Sequence, residues 1–505
     1  PNFAIDFEAK VIRLAEKATA KSNEYKFIID TNSGTEFQNS ISVTKQSGKT
    51  FFIGIHPSKL FSRLRLYKEG EVNESLFQWH IDYHGPSASP SISAVPSISA
   101  VPSMATLSRI QANEYFIQVD TQVDSTGQLI RYLHGAFTTY SQINFGMSGT
   151  TKGIMINYGK GNFGGSMEIR IGGPDGQMIG EFLPANGLGT RYTAYIGIAD
   201  VVGIHDLTFV AKEAGTETGT GIVVMEMHWF ELSDFAERAD AYARIDAYKH
   251  SKSYGATLNQ GRWIRTWNDV SITYSQINFG DSGTTKGIMI YYGKGNAADG
   301  DVMEIRLGGP DGQIIGEFMP GRTVGGWSGR NTAYVGIDDV VGIHDLTFVV
   351  KNNGDGGLVD LEWFELSDFA ERAGVYSRIE VYKHSKSFGG QFLNEVLTEW
   401  GGGNYITYSK INFGASGSTK AIDLFYAKGN ESVGFIEVRL GDQNGDIIAR
   451  IDPTNTGSWN DFIQISIDLL IDVEGIHDLT FVGDGEALLA RMQWFELKES
   501  SEFAP

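Results

Sequence analysis

A repeat of 134 residues constrains the fold of this chain more than any other feature. The motif YSQINFG or YSKINFG begins at Tyr140, Tyr274 and Tyr408, so both steps are 134 residues (274 − 140 and 408 − 274). A unit of this length is too long for one turn of a solenoid and is large enough to bury a core of its own. We therefore expect three tandem copies of one domain within the 505 residues.

The sequence inside each copy predicts β-strands joined by tight turns. Apolar residues alternate at Ile154, Ile156 and Tyr158, as in a strand with one buried face. The turn GGPDG, at residues 172–176 and 308–312, supplies the proline, aspartate and glycine that a hairpin needs. The predicted class is all-β, with three tandem jelly-roll β-sandwich modules. We place module 1 at residues 106–233, module 2 at 234–367 and module 3 at 368–505.

The first 84 residues lie outside the repeat and predict a small α+β or β domain. Apolar residues between Asp6 and Ser22 recur at helical spacing, which predicts a short amphipathic helix, and probable strands follow as far as Tyr83. Two roles remain open for this N-terminal domain. It is either an assembly or anchoring head or simply another folded module.

A spacer of low complexity joins this domain to the repeats. Residues 85–105 are rich in serine and proline and contain SISAVP twice, which predicts an extended polyproline-type segment. Segments of this kind are typical O-glycosylation substrates in extracellular proteins. N-glycosylation sequons at Asn73 and Asn430 are compatible with a secreted, extracellular or cell-surface location.

Charge and composition exclude several classes of function. The chain has 41 basic and 61 acidic residues, a formal net charge of −20, so it lacks the basic footprint that nucleic-acid binding requires. It has no cysteine for disulfides or thiolate metal sites, and no apolar run approaches the roughly 20 residues of a membrane span. Because it begins at Pro1, without a start methionine or signal peptide, we expect a mature or truncated chain.

Read from end to end, one repeat resembles a family 6 carbohydrate-binding module. The resemblance rests on RIQANEY, YSQINFG, MEIRLGGPDGQIIGEFMP, VGGW, GIHDLTFV and DLEWFEL in that order, and covers about residues 106–498. It implies a β-sandwich whose sugar cleft lies in loops at one edge, where two aromatic side chains grip a sugar ring and an asparagine hydrogen-bonds to it. The implied partner is a polysaccharide or cell-surface glycan.

Carried onto module 2, the resemblance implies a nearly complete cleft. The two aromatic positions fall on Trp263 and Trp327, and Asp360 stands at the asparagine position. Pyranose rings present C–H faces that stack on aromatic planes. We therefore expect Trp263 and Trp327 to be exposed on loops and to face one another across a groove.

The other two modules depart from this pattern. In module 3 the loop position holds Trp459, but Leu397 and Arg491 replace the other two groups, with Trp400 or Tyr405 as nearby substitutes. In module 1 the three places are all non-aromatic, so we expect that the cleft is lost there. They are Leu129, Leu188 and Glu226.

The resemblance also implies a structural calcium ion held by acids of the first and last strands. Module 2 offers Asp246 and Glu362 as oxygen ligands, whereas the matching pairs in modules 1 and 3 are poor. Two further sets of repeated residues receive structural interpretations. We expect the closing tryptophans (Trp229, Trp363, Trp494) to pack in the core, and the recurring histidines (His205, His344, His477) to hydrogen-bond where a strand begins.

No catalytic motif accompanies the repeats, and 84 residues are too few for a glycosidase barrel of about 250 residues. We therefore expect no enzyme. The leading hypothesis is a non-catalytic extracellular surface or fibre-forming protein, assembled as a homo-oligomer or filament, with sugar binding retained in module 2. The alternative is the polysaccharide-targeting region of a larger secreted glycoside hydrolase.

Overall fold

The computed structural model describes most of the repeat region and seven backbone strands before it. The continuous described ranges are residues 108–161, 165–187, 191–213, 223–238, 240–264, 270–295, 300–351, 357–398, 400–486 and 488–499. The chain divides into two compact units, Pro1–Ser99 and Ala100–Pro505. We describe each unit by itself.

The described elements of the first unit are all strands. They are β1 Asn2–Asp6, β2 Val11–Ala15, β3 Tyr25–Thr31, β4 Glu36–Asn39, β5 Thr50–Gly54, β6 Phe61–Lys68 and β7 Phe77–His80. They form a three-stranded sheet, β1-β2-β5, and a four-stranded sheet, β4-β3-β6-β7. The predicted helix from Asp6 to Ser22 is wrong, because Val11–Ala15 is a strand paired on both sides. Sheet pairing overrode the local helical pattern there.

The described residues of each module in the second unit form ten to twelve strands. Module 1 comprises β8 Ile110–Gln111, β9 Ile117–Val123, β10 Ile130–Asn144, β11 Gly153–Gly161, β12 Gly165–Ile171, β13 Gln177–Phe182, β14 Asn186–Gly187, β15 Tyr192–Gly197, β16 Ile204–Glu213 and β17 Val223–Ser233. Module 2 comprises β18 Ile245–Asp246, β19 Lys252–Tyr254, β20 Thr257–Asn259, β21 Arg262–Ile264, β22 Ser271–Asn278, β23 Gly287–Gly293, β24 Val302–Leu307, β25 Ile314–Phe318, β26 Arg322–Thr323, β27 Asn331–Gly336, β28 Ile343–Lys351 and β29 Asp360–Ser367. Module 3 comprises β30 Ile379–Glu380, β31 Lys386–Phe388, β32 Gln391–Leu393, β33 Val396–Leu397, β34 Tyr405–Asn412, β35 Ala421–Ala427, β36 Gly434–Leu440, β37 Ile447–Ile451, β38 Ile463–Asp468, β39 Ile476–Gly485 and β40 Arg491–Lys498. Short helical turns lie at Ala236–Arg238, Gly326–Ser328 and Ala370–Ala373.

Modules 2 and 3 show the predicted sandwich as two separate sheets. In module 2 one sheet has the order β19-β22-β28-β24-β25, and the other runs β20-β21-β29-β23-β27, with β18 also paired to β29. Module 1 has nine of its ten described strands in one sheet, because the long strand β10 pairs with strands of both layers, while β14 pairs with β20 of module 2. The predicted all-β class is confirmed.

The tyrosine that opens each repeat motif ties the first strand to the core. In module 2, Tyr274 is fully buried, its hydroxyl donates to the carbonyl of Ala247 at 3.0 Å, and its ring meets Phe364 edge-on at 4.8 Å. Tyr140 and Tyr408 make the matching contacts in the other modules. A buried phenol needs such a hydrogen-bond partner, which explains why the residue recurs.

The histidine of GIHDLTFV closes a turn at the start of its strand. Nε2 of His344 lies 2.8 Å from the carbonyl oxygen of Val341. His205 and His477 make equivalent contacts with Val202 and Glu474 at 2.7 Å. The prediction that these histidines hydrogen-bond at the strand entry is confirmed.

The prediction that the closing tryptophans pack in the core is confirmed for Trp494, which is buried, and is wrong for Trp229 and Trp363, which are half-buried. Each sits beside a phenylalanine on the last strand, and that phenylalanine, for example Phe364, is the residue that joins the core cluster. Trp363 is half-buried on the opposite face, stacked on Tyr291 at 5.1 Å and covered by the guanidinium of Arg244 at 4.8 Å. Trp229 and Trp494 lie under Arg109 and Arg378 in the same way, although Trp494 is only 7% exposed. Strand alternation explains the correction, since adjacent residues face opposite sides.

Modules 1 and 2 are joined by a specific contact. Nζ of Lys252 donates to Glu181 at 2.8 Å, and the backbone of Leu183 bonds in parallel register with Ser251 and Ser253. Arg238 donates to the carbonyl of Lys249 at 2.7 Å and to that of Ser275. Core residues of the two modules form one continuous cluster.

The junction between modules 2 and 3 repeats these contacts residue for residue. Lys386 donates to Glu317 at 2.7 Å, Met319 takes the place of Leu183, and Arg372 takes that of Arg238. The two joints are therefore equivalent, and the linker sequence WFELSDFAERA occurs at both of them.

A buried histidine lies at each junction. Nε2 of His250 is 3.3 Å from the hydroxyl of Tyr158, and His384 has the same relation to Tyr292. Both imidazoles are fully buried, and burial lowers the pKa of each to about 3. They are therefore neutral at physiological pH, and each junction contains an uncharged ring.

Candidate functional site

A tryptophan stands on a short loop at the edge of module 2. Trp327 belongs to the turn Gly326–Ser328 and is half-buried. A Cβ atom placed on Gly295 would lie 2.5 Å from the indole, so the ring rests directly on glycine backbone. Any other side chain at Gly295 would displace the indole.

Two side chains fix this loop to the sandwich. The hydroxyl of Thr323 accepts the N–H of Lys294 at 3.0 Å and donates to the carbonyl of Gly326 at 2.7 Å. Nη1 of Arg330 donates to the carbonyls of Trp327 at 2.7 Å and Gly329 at 2.6 Å. The indole is therefore held in place before any ligand arrives.

Arg330, which holds this loop, also pairs with a carboxylate on the last strand of the module. Nε of Arg330 donates to Glu362 at 2.7 Å, and Arg262 lies 3.6 Å from the same carboxylate. Asp360, the residue at the family's asparagine position, is only 3% exposed. The structure thus brings Trp327, Arg330 and Glu362 together, whereas the carboxylate of Asp360 lies below the surface.

Module 3 repeats the loop with different supports. Trp459 is half-buried over Gly429, where a Cβ atom would meet the indole at 2.8 Å. The hydroxyl of Thr456 accepts the N–H of Lys428 at 3.0 Å, as Thr323 does in module 2. Arg491 donates to the carbonyl of Trp459 and to Asn460, both at 3.2 Å. Two modules therefore present a tryptophan that rests on a glycine and is held by a threonine and an arginine, although the arginine comes from a different position in each module.

Trp263 is not part of this cleft, and the prediction that it is exposed is wrong. Its exposed fraction is 0%, and Nε1 donates to Ala247 O at 2.5 Å and Tyr274 Oη at 2.9 Å. Strand register places Ile130 and Leu397 at the same position in the other modules, and both are also fully buried. The position therefore belongs to the core of every module.

The other predicted cleft groups behave differently from one another. Trp400 is fully buried, and Tyr405 stacks on Phe388 at 5.4 Å, so neither replaces a second platform in module 3. In module 1, Leu129 is 8% exposed and Glu226 is bound to Arg131 at 2.7 Å, while Leu188 lies outside the described residues. Within the part of the chain that the structure describes, none of the residues predicted as a second aromatic platform faces Trp327 or Trp459.

The acids proposed for calcium are engaged by arginines. Asp246 is bound to Arg244 at 3.1 Å, and Glu362 to Arg330 and Arg262. Calcium takes six to eight oxygen ligands. No group of three or more potential ligands (His, Cys, Asp or Glu) occurs among the described residues. This donor set does not fit the ion, since each carboxylate already faces a guanidinium.

The residues that support the loops were not predicted from the sequence. Lys294 and Lys428 belong to a repeated KGN sequence, and the two indoles rest on its glycines, Gly295 and Gly429. That repetition was the available signal.

Of the two sequons, Asn73 lies outside the described residues, and Asn430 donates to the Leu488 carbonyl at 3.4 Å. Glycosylation stays a prediction. In the described residues, the helices are too short or too polar to span a bilayer.

Comparison with known proteins agrees with the repeat. The model of the carbohydrate-binding module (family 6) matches residues 111–234, 235–368 and 370–499, more than half of the chain. An endo-1,4-beta-xylanase A of Thermoclostridium stercorarium is 24% identical over 415 residues, covering 74% of this chain and 58% of the relative. The chain therefore spans little more than half the length of this curated relative.

Single modules of solved structures also match parts of the chain. CsCBM6-3 from Clostridium stercorarium, in complex with cellobiose, is 25% identical, covers 25% of this chain and 94% of its own, and has a TM-score of 0.22. A family 6 module from Clostridium cellulolyticum, in complex with xylose, is 27% identical, with 25% and 98% coverage and the same TM-score. On the three family matches, this chain belongs to the family 6 carbohydrate-binding modules, which it carries as three tandem copies.

Proposed function

We propose that the chain binds polysaccharide without transforming it, and that the loops of Trp327 and Trp459 form the binding clefts. One observation carries the proposal. In two modules an indole rests on a glycine and is pinned by a threonine and an arginine. A half-exposed indole fixed in this manner contributes nothing to the core, but it offers a rigid face to a ligand.

The physical chemistry suits a sugar ring. The C–H face of a pyranose stacks on an indole, and a few polar groups then select its hydroxyls. Glu362 and Arg262 lie beside Arg330, which holds the Trp327 loop, and Asn460 follows Trp459 directly. Because both loops are fixed in advance, little entropy is lost when a sugar binds.

Relatives indicate the class of ligand. The curated relatives are xylanases, and similar solved modules hold cellobiose or xylose. We therefore propose a neutral plant polysaccharide of the xylan or cellulose type, and an extracellular setting for the encounter. The role that accords with the xylanase relatives is a targeting region of a secreted glycoside hydrolase.

A second role, as a building block of a surface fibre, is favoured by the copied junctions. The contacts at Lys252 and Lys386 show that these modules stack through one repeated interface. Growth of a fibre through that interface would require module 3 to offer the same face to a second copy.

The free face of module 3 counts against such growth. Strand register places Arg450 where module 2 has Glu317, and Asp468 where it has Gly336. At Gly336 a Cβ atom would lie 2.7 Å from the Cβ of Ser409, so a side chain there blocks the approach of another module. Fibre assembly would therefore need another surface of the protein.

Affinity electrophoresis of the whole chain in gels containing xylan, soluble cellulose derivatives or mixed-linkage glucan tests the binding proposal. We expect retardation by at least one polysaccharide and no release of reducing ends. Migration unchanged in every gel would refute the proposal. Electron microscopy of the same sample separates the two roles, because filaments support the building block and single particles support targeting.

A further inference from the structure

Module 1 carries an unusual charged cluster at the place of the cleft. Strand register aligns Arg191 with Arg330 of module 2, and His228 with Glu362, since each precedes the last-strand tryptophan. In module 2 the arginine and the glutamate form an ion pair at 2.7 Å. In module 1 the arginine remains, but an imidazole replaces its carboxylate partner.

Three side chains of this cluster converge over one glycine. A Cβ atom on Gly159 would lie 3.1 Å from His228 Nε2, 3.5 Å from Glu226 Oε2 and 3.9 Å from Arg191 Cγ. His228 is 6% exposed, and within the described residues its ring makes no hydrogen bond. Burial and the neighbouring Arg191 lower the pKa of this imidazole, so it is neutral at physiological pH and keeps one N–H that can donate to a ligand.

The two acids near this imidazole are already engaged. Glu226 accepts from Nε of Arg131 at 2.7 Å. Asp124 accepts the Thr126 hydroxyl at 2.6 Å and the N–H groups of Gln128 and Leu129 at 3.0 Å. Arg191 is exposed, and in the described part of the chain it makes no hydrogen bond or ion pair. Within the described residues, the guanidinium therefore has no carboxylate in the position where Glu362 meets Arg330.

We propose that module 1 binds an anionic sugar, whose acidic group occupies the place that the Glu362 carboxylate fills in module 2. A uronate carboxylate or a sulfate ester has the required chemistry, because guanidinium groups bind planar or tetrahedral oxyanions through paired N–H donors. The imidazole N–H of His228 supplies a further donor. This inference rests on the proposed glycan binding and extends it to a second ligand class.

The cluster also accounts for the missing tryptophan platform. Module 1 has Ile130 in the core position of Trp263, and its cleft region contains charge rather than an indole among the described residues. Selection by charge needs a guanidinium and a placed donor rather than an aromatic face. The first module is thus specialised differently from modules 2 and 3.

Calorimetric titration of the full chain tests the inference. The ligands are galacturonate and glucuronate oligosaccharides, their carboxyl-reduced counterparts, and a sulfated oligosaccharide without carboxylates. We expect at least one anionic ligand to bind, and its carboxyl-reduced or desulfated form to bind at least tenfold more weakly. The uronate and sulfate arms identify which acidic group is recognised.

Variants locate the site. Arg191→Ala should weaken binding of the anionic ligand at least tenfold, and because Arg191 is exposed the fold should survive. Arg450→Ala, which removes the same charge from module 3, should leave the affinity unchanged. Equal binding of acidic and neutral forms, or equal affinity of Arg191→Ala and wild type, would overturn the inference. If neutral xylan and cellulose ligands fail to bind, that result counts against the clefts proposed for modules 2 and 3 and not against the anionic site of module 1.

Discussion

Replacement of Trp263 by alanine should destabilise module 2 and leave polysaccharide binding intact. The side chain is fully buried, meets His250 edge-on at 4.7 Å, and donates to Ala247 O and Tyr274 Oη. A sugar cannot reach an indole in this position. The expected loss therefore appears in the free energy of unfolding.

The size of the loss follows from the contacts. Truncation of a buried tryptophan to alanine costs about 3–5 kcal/mol, from lost transfer free energy and the cavity that remains. The carbonyl of Ala247 keeps the Tyr274 hydroxyl as a donor at 3.0 Å, so no large penalty for an unsatisfied carbonyl adds to this. Trp263→Leu should cost less, because Leu397 already fills the same position in module 3.

Urea unfolding of the full chain, followed by circular dichroism, measures this loss. Trp327→Ala is the matched control, since it removes a half-buried indole from a loop and should change the free energy of unfolding far less. Trp263→Ala that unfolds like wild type but no longer binds polysaccharide would refute the assignment of this residue to the core.

Three further predictions follow from the junctions and the acid pair. Gly336→Asp should separate modules 2 and 3 into independent unfolding transitions in calorimetry, because a side chain there meets Ser409 and Lys410. The control Gly309→Asp, which has open space around it, should not separate them. A single unchanged transition in Gly336→Asp would contradict the junction model. His250 and His384 have a pKa of about 3 in the folded chain and about 6.5 when unfolded, so the unfolded chain binds more protons between these values. The free energy of unfolding should therefore fall as the pH drops from 6.5 towards 3, by up to about 1.4 kcal/mol per pH unit for each histidine. This slope should decrease in His384→Gln, and an equal slope in the variant would contradict the assignment of the pH dependence to the buried histidines. Chelation of calcium should leave the melting temperature unchanged, because arginines hold Asp246 and Glu362. A lower melting temperature on chelation, restored by added calcium, would show that the ion is part of the fold.

The sequence was sufficient to predict the three modules and much of their scaffold. The 134-residue step identifies tandem domains, and the repeated tyrosines and histidines do what buried phenols and strand-entry imidazoles usually do. Strand alternation could also have placed Trp363 correctly, because Phe364 and Leu366 share the buried face and Trp363 lies on the other.

Other features depend on three-dimensional register. The family resemblance placed Trp263 in the cleft, and only its pairing with Leu361 and its burial show that it belongs to the core. The wrong helix at Val11–Ala15 has a similar cause, since pairing partners such as Thr50–Gly54 lie far away in sequence. The contact of Arg330 with Glu362 joins residues 32 positions apart, and no local pattern reveals it.

Calorimetric titration with the polysaccharide that retards the chain tests the central claim most directly. Wild type should bind at two equivalent clefts, Trp327→Ala and Trp459→Ala at one each, and the double variant at none, with each lost indole costing about 1–3 kcal/mol at its own cleft. Full binding by the double variant would contradict the account, because it would place the polysaccharide somewhere other than the two pinned loops.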